Sequence, residues 1–294
     1  MVSNKKTGQI ILHIIFILLT LACVLPFLLL VMSSFTSEDC LMQNGYSLFP
    51  KEFSTEAYQY LVQRGATIAR GYGITFLVTF LGTSIALVIT TMLAYPLSRK
   101  ELPHRNFFSF IVVFTMLFNG GVVPTYIMYT QVFHIKNTIW ALIVPMLLLN
   151  AFYVIMMRSF FSANISDSLI EAARIDGAGE YRTLLQIVVP LSKPMMATLA
   201  LMVGLGYWND WINGLYYLTD TKYFSIQNIL NRMIADVQFL ASGAAVSASA
   251  STAQLPSVGI RMAIAVIGIL PIMIIYPFFQ KSFVKGIVIG GVKG

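Results

Sequence analysis

The sequence predicts an all-α integral membrane protein with six spans, on three observations. The 294 residues are 57% hydrophobic and only 11% charged, with a mean hydropathy of +0.77, whereas a soluble domain carries roughly a quarter charged residues. The apolar residues fall into six separate runs, each near the roughly 17–25 residues that a tilted spanning helix needs. The interiors of those runs contain no Asp or Glu. The runs are continuously apolar rather than alternating, which excludes a barrel of short strands.

The first run, Ile10 to Met32, follows Lys5 and Lys6. It is too long for the core of a secretory signal and lacks a small-residue cleavage site, so it reads as a retained span with Pro26 inside it. The others run from Tyr72 to Leu97, Phe107 to Phe133, Thr138 to Met157, Leu184 to Trp208 and Val258 to Phe279. This gives an N-terminal tail at 1–9, one transmembrane domain at 10–280 and a C-terminal tail at 281–294.

Lys and Arg set the direction. Of the 19, twelve fall on the side holding both tails and the even-numbered gaps (Lys5, Lys6, Arg99, Lys100, Arg105, Arg158, Arg174, Arg182, Lys193, Lys281, Lys285 and Lys293). The positive-inside rule makes that side, and both termini, cytoplasmic. The net charge of +7 therefore reflects topology. The basic residues form no nucleic-acid face. The two cysteines, Cys23 and Cys40, suggest neither a disulfide framework nor a metal site. His13, His104 and His134 lie in different segments and on both sides, so no cluster expected of a membrane enzyme forms. Lys193 and Arg261 lie near the ends of their runs and reach the interface. Ion-coupled carriers retain charges inside the bilayer for coupling, and the missing intramembrane carboxylates argue against such a carrier.

The segment at 166–182, between the fourth and fifth runs, is the most informative. Ser168 and Glu171 have capping-box spacing. Leu169, Ala172, Ala173 and Asp176 follow at i, i+3, i+4 and i+7, on one helix face. Gly177 is a natural helix stop with positive φ, and Gly179 turns the chain onward. The helix has about two turns, too short to be stable without a partner.

This stretch resembles the EAA signature of binding-protein-dependent ABC importer permeases. The matching residues are Glu171-Ala172-Ala173, Asp176-Gly177-Ala178, Leu184, Ile187, Pro190-Leu191 and Pro194, with Leu184 standing where the family often has an aromatic residue. The resemblance implies the type I ABC importer permease fold, with the cytoplasmic coupling helix formed by Leu169, Glu171, Ala172, Ala173, Asp176, Gly177, Ala178 and Gly179. It also implies partners: a second homologous permease, two cytoplasmic ATP-binding subunits and an external solute-binding protein. ATP and Mg would be held by the ATPase, with no cofactor on this chain. No Walker A pattern, GxxxxGK[ST], occurs.

The wider layout is similar to a carbohydrate-type permease, the second membrane subunit of a maltose-type importer. Phe118 to Pro124, Tyr207 to Trp211 and the tail from Phe283 to Gly294 resemble the oligosaccharide and polysaccharide-fragment branch. The resemblance leaves open a non-sugar solute such as a peptide.

Two regions are candidates for the solute path. Asn119 and Gly120, with Gly121 and Pro124, loosen the third run, and irregular backbone at that depth is tolerated only against protein or a water-filled cavity. At the outer end of the fifth run, Trp208, Asn209, Asp210, Trp211, Asn213, Tyr216 and Tyr217 offer aromatic faces with amide and carboxylate groups suited to sugar rings. For the individual aromatics a plain interfacial belt is the favoured reading, whereas Asn209 and Asp210 are harder to explain as belt. The small polar stretch Ala241 to Ala253 reads as a flexible linker, which in a maltose-type system reaches the binding protein.

Overall fold

A computed structural model describes residues 6–241 and 257–291. The linker residues 242–253 and the ends of both tails lie outside these. The described chain is helical: α1 (Lys6–Ser34), α2 (Glu38–Asn44), α3 (Glu56–Gln63), α4 (Gly65–Ser98), α5 (Arg105–Leu117), α6 (Val122–Ile127), α7 (Trp140–Ile143), α8 (Ala151–Asn164), α9 (Asp167–Ile175), α10 (Glu180–Thr183), α11 (Val189–Leu191), α12 (Lys193–Trp208), α13 (Ile212–Tyr217), α14 (Ile226–Ala241) and α15 (Ser257–Gly291). Wider π turns extend α6 through Met128–Val132 and join α10 to α11 through Leu184–Val188.

Three helices are long and apolar enough to cross a bilayer unbroken, within Gly8–Ser34, Gly65–Ser98 and Val258–Ile275. They correspond to the first, second and sixth runs. The first is apolar all round and exposes Ile10 through Leu19 to about half their surface, as a lipid-facing helix does.

The third and fifth runs are bent pairs rather than straight spans. Arg105–Leu117 and Val122–Val132 meet at 110°, where Gly121 takes φ +85 and donates its N–H to Asn119 Oδ1 at 2.9 Å. Glu180–Leu191 and Lys193–Trp208 meet at 81°. There Pro194 has no N–H to bond the carbonyl four residues back and crowds it. Counting each pair once gives five spans among the described residues.

The expected fourth span, Thr138 to Met157, is not one helix. It stops at Ile143, turns through Met146 at φ +62, and restarts at Ala151, where Asn150 accepts the Phe152 N–H at 2.9 Å. Pro145 interrupts it by lacking a donor, and its carbonyl accepts from the Asn213 side chain at 3.1 Å.

The residues group into two compact units, 1–68 with 230–271, and 69–229 with 272–294. In the first, Phe35 stacks on Tyr58 at 4.6 Å, and the Glu38 carboxylate accepts the Val258 and Gly259 amides at 3.0–3.1 Å. A carboxylate there satisfies amides that the start of α15 cannot bond internally. In the second, Ala94, Tyr95, Leu97, Val154, Met157, Phe160, Phe161, Ile170, Leu184, Val188 and Leu199 form one core. Within it α4 and α12 close on each other at Gly82, where a Cβ would lie 2.5 Å from the Tyr207 ring.

Candidate functional site

The helix α9 begins two residues earlier than the capping-box spacing predicts. Ser166 is the N-cap (φ −70, ψ 143), Asp167 opens the helix, and Ser168 lies inside it, donating to Ser166 Oγ at 3.2 Å. The Ser168–Glu171 box does not form. Asp167 explains the register. Its carboxylate accepts from Lys100 Nζ at 2.8 Å and lies 3.6 Å from Arg99, and an acidic group in the first turn also suits the helix dipole. The Lys100 hydrogen bond holds the Asp167 carboxyl below its ordinary value.

The other end of α9 is a Schellman turn. Gly177 adopts φ +79, its N–H reaches Arg174 O at 3.0 Å, and Ala178 N–H reaches Ala173 O at 2.9 Å. Arg174 then pairs with Glu180 at 2.7 Å, across the turn carrying Gly179. The Tyr95 hydroxyl donates to the second Glu180 oxygen at 2.8 Å. These groups border a cavity of about 430 Å³ with Met92, Pro96, Arg99 and Leu102.

The predicted face of α9 is split. Ile170 and Ala173 are buried, while Leu169, Glu171, Ala172 and Asp176 are exposed. Ala173 therefore belongs to the inward side. Beyond it, Ile175 is 86% exposed and Tyr181 74%. The outward side of this segment presents apolar residues beside ion-paired ones.

The region after α12 is arranged differently. Asp210 Oδ1 accepts the Ile212 and Asn213 amides at 3.1 and 3.2 Å and so caps α13. Burial pushes its carboxyl up, against those hydrogen bonds. Asn213 is buried and tied to Pro145. Trp208 is buried too, edge-on to Phe76 at 5.1 Å, and lines a largely apolar cavity of about 470 Å³ with Thr79, Thr83, Leu201 and Gly204. Asn209, Trp211 and Tyr216 are exposed. Asn119 and Gly120 are exposed at the α5–α6 bend, where the Asn119 side chain shapes the turn.

Sequence reasoning missed the residues that gather around Tyr217. Tyr126 stacks on it at 5.9 Å, Tyr129 meets it edge-on at 5.8 Å, and Lys136 Nζ lies 3.2 Å from the Tyr126 hydroxyl. Asn137 bonds Thr219 through both ends of its amide, at 2.8 and 2.7 Å. These partners are some 80 residues away in sequence, and no local pattern announces them.

Residues 1–289 match the family described as binding-protein-dependent transport system inner membrane component. Protein LplC of Bacillus subtilis (strain 168) is 38% identical over 92% of this chain and 90% of its own length. The polygalacturonan/rhamnogalacturonan transport system permease protein YtcP of the same organism is 35% identical over 95% of each. Among solved structures, a chain of a bacterial ABC transporter involved in the import of the acidic polysaccharide alginate aligns at TM-score 0.79 and 28% identity. That alignment covers 96% of this chain and 99% of that one.

Proposed function

We propose a function from one premise: this chain belongs to the binding-protein-dependent transport system inner membrane components. It is a multi-pass membrane subunit of an ATP-driven ABC importer, and its solute is a carbohydrate, of oligosaccharide size. The carbohydrate assignment draws on relatives named for polygalacturonan/rhamnogalacturonan and alginate import.

The chain forms half of the translocation pathway, beside a second homologous permease. An external binding protein delivers the solute, and two cytoplasmic ATP-binding subunits hold ATP and Mg. All six apolar runs cross the membrane, the fourth as a broken helix, and both termini are cytoplasmic. The segment from Leu169 to Gly179 is the coupling helix and sits in a groove of the ATP-binding subunit. ATP binding closes those subunits, the closure displaces α9, and the spans pass from inward-open to outward-open. Asn119, Gly120, Asn209, Trp211 and Tyr216 face the path, while Trp208, Asp210 and Asn213 hold its wall.

The observation that carries this reading is α9 itself. It is a nine-residue helix, too short to persist unaided, and it is closed by a left-handed glycine with Ile175 and Tyr181 standing in solvent beside it. An exposed apolar rim next to fixed polar groups marks a partner surface. Uptake of labelled oligogalacturonate and neutral oligosaccharides into cells tests the reading. Uptake of at least one should survive an uncoupler and stop when ATP is depleted; the reverse pattern would identify an ion-coupled carrier instead.

A further inference from the structure

Helix α9 is held at both ends by one short stretch of chain. Its first turn is tied through Asp167 to Lys100 and Arg99, just past the end of α4. Its last turn is tied through Arg174 to Glu180, and Glu180 in turn to Tyr95, in the last turn of α4. A nine-residue helix has little stability of its own, so these tethers decide where it sits.

The two tethers differ. Both ion pairs are exposed, Lys100 and Asp167 at 76% and 46% of the side chain and Arg174 and Glu180 at 45% and 54%. Solvent and salt therefore weaken each of them, and the difference lies in the hydrogen bond to Tyr95. Glu180 uses both oxygens in short hydrogen bonds, 2.7 Å from Arg174 and 2.8 Å from Tyr95, the strong kind in which one partner is charged. Tyr95 is only 6% exposed and lies edge-on to Phe161 at 6.5 Å, inside the core with Val154, Met157, Leu184 and Val188. A close-packed core shifts as a body rather than deforming, so a pull on the Tyr95 hydroxyl displaces the end of α4.

We infer that Glu180 is a positioning residue through which displacement of α9 is carried into the Ser98 end of α4. It lies outside the residues that carry the EAA resemblance. It also opens α10, so it joins α9, α4 and the bent fifth span at one carboxylate. A plainer role would be to close the turn at 176–179. The backbone already closes that turn through the Ala178–Ala173 and Gly177–Arg174 bonds, and the bond to Tyr95 adds nothing to it. What the Tyr95 bond adds is a direct connection from the α9–α10 turn to the last turn of α4, the kind of contiguous contact through which coupling is carried.

The inference rests on α9 being the part that the ATP-binding subunit moves, and the test separates the two ideas. In a Cys23→Ser, Cys40→Ser background, Ser98→Cys places a thiol at the end of α4. The complex with its ATP-binding subunits is placed in nanodiscs, and maleimide labelling is timed without nucleotide and after trapping with ATP and vanadate, normalised to trapped nucleotide. With the native residues, trapping changes the labelling rate about fivefold or more. Glu180→Gln and Tyr95→Phe each bring that ratio close to one. Combining them goes no further, as expected of one chain of contacts. Arg174→Lys, which keeps the charge, retains most of the change.

A full change in Glu180→Gln and Tyr95→Phe, together with its loss in Gly177→Asp, overturns the relay while leaving α9 as the coupling helix. A full change in Gly177→Asp as well overturns the coupling-helix reading itself. An unchanged rate in the native background shows that the end of α4 does not move with nucleotide, and overturns the relay directly.

Discussion

The α9 segment and the segment after α12 look alike in sequence, each mixing a few carboxylates with exposed-looking apolar or aromatic groups. Folding treats them in opposite ways. Around α9 Asp167 and Arg174 are ion-paired with Lys100 and Glu180, while two large apolar side chains stand exposed, Ile175 at 86% and Tyr181 at 74%. After α12 the polar groups turn inward: Asp210 caps α13, Asn213 holds the Pro145 carbonyl, and Trp208 is buried against Phe76. The first region leaves large apolar side chains exposed, and the second satisfies the Asp210 carboxylate and the Asn213 amide within the chain. A carboxylate beside a tryptophan is thus weak grounds for a sugar site until its hydrogen bonds have been accounted for.

The largest effect that would break this comparison lies at Gly177. Gly177→Asp adds bulk and charge at a left-handed position, where a Cβ costs on the order of 1 kcal/mol or more. It should reduce uptake by about tenfold or more and abolish stimulation of ATP hydrolysis by loaded binding protein, with normal membrane insertion. Each tenfold loss corresponds to about 1.4 kcal/mol of coupling. Reconstituted complex assayed with and without binding protein reads both quantities.

Ile175→Ser should come next. An exposed side chain contributes within about 0.5 kcal/mol to the stability of the chain itself. Thermal unfolding of the isolated permease should therefore hardly change, while co-purification of the ATP-binding subunit falls. Equal losses in both would mean that Ile175 packs within this chain.

At the other region the prediction is a split between two variants. Asp210→Ala removes the α13 cap and should cost about 1–2 kcal/mol of stability, seen as a lower unfolding temperature in detergent. Asp210→Asn keeps a capping oxygen and should retain near-normal stability and uptake, because Asn caps as well as Asp. Uptake lost in Asp210→Asn at normal stability would put the carboxylate in contact with solute.

The smallest effect is the pH response of the Asp167–Lys100 tether. The Lys100 hydrogen bond lowers the Asp167 pKa below 3.8. Its contribution is therefore fully present above the ordinary carboxylate value and lost as pH falls through the lower folded value. Amide exchange in α9 should rise over that acid range, and Asp167→Asn should show the faster exchange already at neutral pH.

Much of this was legible in the sequence. α1, α4 and α15 are continuous apolar runs, and hydropathy finds such runs because bilayer thickness fixes their length. The EAA-like spacing marked α9, and Gly177 marked its end, since only glycine takes that φ without strain. The fourth run was misread because average hydropathy does not register a break. Pro145 ends the helix there, and the group that takes its carbonyl, Asn213, is 68 residues away. The capping register slipped for a similar reason. Ser166 and Ser168 are equally good caps, and the choice was made by Lys100 pairing with Asp167 across 67 residues. The Asn213 partner, the Pro145 carbonyl, is tertiary in the same way, whereas Asp210 bonds amides only two and three residues on.

The central claim is that α9, and not the segment after α12, is the surface that meets the ATP-binding subunit. A photoreactive amino acid placed at Ile175, and in a parallel variant at Trp211, tests it in intact membranes, with cross-linked products identified by mass spectrometry. The account predicts that the Ile175 probe joins this chain to the ATP-binding subunit and that the Trp211 probe never does. Cross-links to that subunit from Trp211, or none from Ile175 in an assembled and active complex, would contradict it.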